Sequence, residues 1–133
     1  MFQTNVDYKI KKYLEFEDLD AYRIAFHLSN YVWNIVAGWK PFEKDTIGKQ
    51  FVRAIDSISA NIAEGFGRYM KKDKINFYRY SRGSVKESLD WNEKSRIRGL
   101  LTETEYSYIF KELHQLPRLI NQLIQYTNQK LEQ

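Results

Sequence analysis

The chain has 133 residues, 43% of them hydrophobic, and its 21 Lys and Arg against 17 Asp and Glu leave a net charge of +4. That length suits one domain burying about two-thirds of the surface its unfolded chain exposes. No cysteine is present, which excludes disulfides and thiolate metal sites, and the opening MFQTNVDYKIKKYLEFEDLD has no apolar run of signal-peptide or membrane-span length, so the expectation is a soluble cytoplasmic protein with no membrane partner.

Residues 1–16 are expected to form an N-terminal arm outside the main fold, with DYKIKKYLEF compatible with an extended arm, a short strand or a further helix; residues 17–133 form the domain proper. Leu19, Tyr22, Phe26, Val32, Trp33 and Val36 recur at three and four, predicting a first helix from about Asp18 to Ala37 that stops at Gly38. GWKPFEKD reads as a loop. Ile47, Phe51, Ala54, Ile55, Ile58 and Ile62 mark one face of a second helix, and Gly65 falls on that face at 100° per residue. Its end lies near Gly67, which a left-handed terminal conformation would suit.

Asp73 is the expected cap of a third helix running to about Arg98. Gly99 then stops the chain, and Thr102 with Glu105 has the spacing of a capping box for the fourth helix. Tyr106, Ile109, Phe110, Leu113, Leu116, Ile120, Leu123 and Ile124 are its expected inward positions, with Pro117 interrupting and bending it. Four helices joined by short connections make an all-α, antiparallel up-down four-helix bundle the simplest fold.

Charge concentrates in the third helix and the turn before it. Residues 68–98 carry ten basic side chains against four acidic ones, a net +6 that exceeds the charge of the whole chain. Lys72, Arg79, Arg82 and Lys86 fall in a stripe about 80° wide, and Arg68 and Lys71 extend it into the turn. Phe77, Ser81, Ser84, Ser88 and Ser95 face nearly the opposite way, where small side chains let helices approach and hydroxyls can bond a carbonyl one turn back. Tyr69, Tyr78 and Tyr80 lie among the charges, a combination suited to phosphate contact and base stacking. The same residues suit a solvated face, or head-to-tail pairing with the Asp90 and Glu93 of a neighbouring subunit.

SISANIAEGFGR, FYRYSRGSVKESL, LDAYRIAFHLSNYVW and GLLTETEY together resemble the four-helix-bundle family encoded in intervening sequences of 23S rRNA genes, also described as S23-like ribosomal proteins. The resemblance runs from about Phe16 to Tyr126, and its most specific part is Asn61 to Gly65 with Gly67 and Arg68. Family members usually carry a proline where this chain has Ser59, and the apolar character expected late in the third helix is diluted here by Asn92, Lys94 and Ser95. The family is similar in fold to the basic pentameric accessory proteins of diversity-generating retroelements. By that likeness a bacterial homopentamer associated with structured RNA is implied, and no enzymatic activity.

Catalytic constellations are scarce. His27 and His114 stand on different helices, no Glu-x-x-His pair or P-loop occurs, and no cofactor or metal site is expected. Asn61, three residues before Glu64 and at the edge of the apolar face, is expected to bond across to another helix and fix register. Trp39 and Phe42 are expected near a loop, either burying a subunit contact or capping their own end of the bundle. Two functions follow: RNA association through Arg68, Lys71, Lys72, Arg79, Arg82 and Lys86, or a structural module whose charged stripes hold subunits or a protein partner.

Overall fold

A computed structural model describes residues 14–130, and most of the expected N-terminal arm lies outside the described residues. A single 3-10 turn, Phe16–Asp18, opens the described chain, closed by Glu15 N–H donating to Asp18 Oδ2 at 2.8 Å. The Phe16 ring packs edge-on against Tyr22 at 4.9 Å. The first helix, α1 (Asp20–Ala37), therefore begins two residues later than the spacing suggests, because Asp18 belongs to the 3-10 turn.

Only residues 38–40 separate α1 from the next helical stretch. Pro41 is a first helical residue, the position where its missing N–H costs nothing. One α turn (Pro41–Glu43), a π-helical turn (Lys44–Gly48) and the helix α2 (Lys49–Gly67) then follow without a break, so most of the expected loop is helix. α2 is continuous through Ser59, whose hydroxyl leans on the Asp56 carbonyl of its own turn.

The third helix, α3 (Lys71–Ile97), starts with Met70 as its cap, and Asp73 sits inside the first turn instead of capping it. There its carboxylate still faces the positive end of the helix dipole. α3 ends in a Schellman motif: Leu100 N–H donates to Ser95 O at 2.9 Å, Gly99 N–H to Arg96 O at 3.1 Å, and Gly99 has φ +74. The capping box of α4 (Glu103–Lys130) forms as expected, with Thr102 N–H on Glu105 Oε1 at 2.9 Å and Glu105 N–H on Thr102 Oγ1 at 3.1 Å. α4 runs through Pro117 as one helix, with Leu113 and Leu116 fully buried on either side of the lost hydrogen bond.

The helices pack in the cyclic order α1–α2–α3–α4, each on its two neighbours, with α2 against α3 the largest contact. Antiparallel running is visible in the cross-links: Gly65 meets Tyr78 while Ile58 meets Ser81, and Arg82 meets Asn121 while Asn92 meets Tyr106. Leu28, Val32, Phe51, Ile55, Ile58, Ile62, Val85, Ile109, Leu113, Leu116 and Ile120 form the sealed centre. Each such side chain contributes about 1.5–3 kcal/mol on leaving water.

Three expected core positions lie elsewhere: Trp33 is 57% exposed, Phe110 41% exposed, and Tyr106 half-buried. α1 instead turns Ala21, Ala25, Leu28, Val32 and Val36 inward, and Trp33 stands one position, about 100°, outside that line. Among the described residues no helix is long and apolar enough to cross a membrane.

Candidate nucleic-acid interface

Gly65 explains why α3 lies so close to α2. A Cβ there would sit 2.9 Å from Tyr78 Cε1, 3.0 Å from Phe77 Cβ and 3.1 Å from Lys74 O. Gly67 is different: its φ is not positive, so it does not take the expected left-handed conformation, and a Cβ there would meet nothing within 4 Å among the described residues. Nothing in the fold requires a glycine at that position.

The turn after α2 is held by basic side chains turned back on the protein. Arg68 pairs with Glu64 at 2.8 Å and lays its guanidinium over Phe77 at 4.7 Å. Lys74 Nζ donates to Phe66 O at 2.8 Å, satisfying one of the carbonyls left open at the end of α2. Burial pulls the Lys74 ammonium below its ordinary lysine pKa. Arg68 is thus committed to the fold, whereas Tyr69, at 93% exposure, stands free of it.

Along α3 the segregation of charge holds. Arg79 and Lys86 are exposed and, among the described residues, have no carboxylate within ion-pair distance. Lys71 is half-buried and likewise unpaired, and Lys72 is exposed. Arg82 donates to Asn121 Oδ1 of α4, a neutral acceptor that orients the guanidinium and leaves its charge uncompensated. The acids lower on α3 are already engaged: Asp90 with Lys94 at 2.7 Å, and Glu93 with Arg96. Glu93 also accepts from the Tyr106 hydroxyl at 2.7 Å, and the bonds from Arg96 and then Tyr106 hold its carboxyl below the ordinary glutamate range.

Tyr80 is 58% exposed and packs edge-on against Phe77 at 5.5 Å, off the cationic stripe, whereas Tyr78 is buried. It is 2% exposed against Gly65, and burial pushes its phenol up to about 12. Much of the inward strip of α3 is polar: Ser81, Ser88, Asn92 and Ser95 are all fully buried, alongside Ile75, Tyr78 and Val85. Only part of it is bonded. Ser81 Oγ donates across to Ile58 O of α2 at 2.8 Å and Asn92 Nδ2 to Tyr106 O of α4 at 3.3 Å, whereas Ser88 Oγ, Ser95 Oγ and Asn92 Oδ1 have no hydrogen-bond partner among the described residues. Among the fully buried side chains, Ser81 and Asn92 tie α3 to its neighbours, beside the Arg82–Asn121 and Tyr106–Glu93 bonds nearer the surface. Asn61 bonds Ser57 O of its own helix at 2.9 Å, contrary to the cross-helix role expected for it.

Two features escaped the sequence. On α4, Tyr106, Phe110 and His114 stack one turn apart, with centroids 6.0 and 4.9 Å apart. At the other corner, a groove of ≈ 600 Å³ opens between the end of α1 and the π-helical turn, walled by exposed Trp33 and floored by Val36 and Gly48. Trp39, expected near a loop, is half-buried against the core beside it, while Phe42 is 74% exposed. Among the described residues no cluster of three His, Asp or Glu could hold a metal.

These features define an all-helical four-helix bundle with a cationic face on α3. The chain belongs to the 23S rRNA-intervening sequence protein family, whose model matches residues 17–122. A crystal structure from Bacteroides thetaiotaomicron VPI-5482, of a protein with unknown function from the S23 ribosomal protein family, is similar in fold: the TM-score is 0.70 at 20% identity, over 78% of this chain and 97% of that one. No curated protein matches the chain.

Proposed function

We propose that this is a non-enzymatic binding protein that associates with structured RNA through the outer face of α3. The observation that supports it is the open charge of Arg79, Arg82 and Lys86. A stripe built to hold subunits would be met by the acids of its own pattern, yet Asp90 and Glu93 are occupied by Lys94 and Arg96 within the protomer. Lys71 and Lys72 prolong the stripe by about two turns towards Tyr69. Phosphates supply most of the affinity in such a contact and little base specificity. Arg68, paired with Glu64, belongs to the support of the turn instead of the contact surface. A homo-oligomer, with five subunits by the likeness drawn from the sequence, is the assembly proposed with it.

The test is fluorescence anisotropy of a structured RNA titrated at about 50 and about 200 mM salt, with an R79E/R82E/K86E variant alongside. Three neutralised phosphates weaken binding about twenty- to fortyfold over that salt range. Binding that follows this dependence and weakens sharply in a folded, correctly assembled variant supports the reading. Absence of binding at low salt refutes it, and the stripe then belongs to a subunit or protein contact.

A further inference from the structure

We propose that the groove beside Trp33 is a second nucleic-acid site, one that takes an unpaired nucleotide of an RNA strand; this rests on the RNA reading for its class of ligand but uses none of the α3 residues. The volume, ≈ 600 Å³, lies within the range of small-ligand pockets. Its floor is apolar because Gly48 brings the π-helical turn down onto α1: a Cβ at Gly48 would lie 2.8 Å from Val36 Cγ1 and 3.2 Å from Trp39 Cε3. Trp33 stands at the wall with 57% of its surface in water, although it is large and apolar enough to have been buried.

The rim chooses the occupant. Lys44, Lys49 and Arg53 line the groove, and none has a carboxylate within ion-pair distance among the described residues. Asp45 is the one acid of the lining, so the rim carries a net +2. An indole face surrounded by unpaired cations fits a flat aromatic group that carries its own negative charge, which is the chemistry of a nucleobase on its phosphate backbone. The π-helical turn is a second sign, since it places Lys44 and Gly48 on the groove at the expense of regular hydrogen bonding. The chain's own residues 1–13 do not suit the site: Lys9, Lys11 and Lys12 against Asp7 make them basic as well.

The decisive measurement is tryptophan emission as an unpaired RNA hexanucleotide is titrated into the R79E/R82E/K86E variant, so that the α3 stripe cannot contribute. Quenching is expected there, and a labelled hexamer followed by anisotropy should bind about ten- to a hundredfold more weakly when Trp33→Ala is added. Trp33→Tyr, which keeps a stacking face, should restore most of that loss. K49E/R53E alters only exposed side chains and should weaken binding as well. Unchanged emission, an unchanged midpoint in K49E/R53E, or equal quenching by a hexamer duplex or a poly-glutamate peptide overturns the proposal. Undiminished binding of structured RNA by the stripe variant would instead overturn the α3 reading, and the Trp33 measurement would stand apart from it.

Discussion

Exchanging Gly65 and Gly67 for alanine, one at a time, should move stability in opposite directions although the two lie in the same helix two residues apart. Gly65→Ala inserts a methyl 2.9 to 3.1 Å from the Tyr78 ring, the Phe77 Cβ and the Lys74 carbonyl. The last two are fixed to the α3 backbone, so relief requires α3 itself to move. Overpacking of this kind costs about 1–3 kcal/mol, and with immobile neighbours the upper part applies. Alanine's helix propensity returns about 1 kcal/mol, leaving a net loss of about 1–2 kcal/mol. Gly67→Ala meets nothing within 4 Å at a φ that alanine accepts, so it gains about 0.4–1 kcal/mol. Thermal unfolding followed by circular dichroism should separate the two by roughly 6–12 °C, at about 4 °C per kcal/mol for a chain of this size. Equal stabilisation by both substitutions would refute close packing as the reason for Gly65.

Ser81→Ala removes the hydroxyl that bonds Ile58 O inside the α2–α3 contact and should cost about 1 kcal/mol, whereas Asn61→Ala, which loses a bond only within its own helix, should cost less; urea midpoints compare them. Stability should also fall in alkali. Tyr78 keeps its proton up to about 12 in the folded state but releases it near 10 when unfolded, so the folded chain binds more protons between those values and urea stability drops as pH rises through them. Tyr78→Phe should flatten that decline, and an identical slope in the variant would show that other tyrosines cause it.

Much of the fold was legible because its signals are local. The apolar face that runs from Ile47 in the π-helical turn along α2 to Gly65, the Thr102–Glu105 box and the Gly99 stop depend on spacing and backbone geometry within a few residues, and all three are present in the bundle. The same holds for the charge of α3, since a period of 3.6 is enough to gather Arg79, Arg82 and Lys86 on one side. Two local signals misled: Pro41 starts a helix inside an apparent loop, and α3 starts before Asp73, with Met70 at the cap making no side-chain bond there.

Partner choice was not legible. Arg68, Arg79 and Arg82 look alike along the chain, yet the first is spent on Glu64 and Phe77, the second has no ion-pair partner among the described residues, and the third is aimed by an asparagine 39 residues away. Tyr78 and Tyr80 differ by two positions and lie on opposite sides of the bundle surface. The sequence by itself determined the helices, their order and the side on which positive charge collects, because those follow from hydrogen bonds and periodicity within one segment. Only the tertiary structure decided which cations remain open, that no neighbour or backbone angle demands a glycine at position 67 as packing does at Gly65, and that Trp33 borders a groove. Each of those depends on the distance between side chains of different helices, which no single segment encodes.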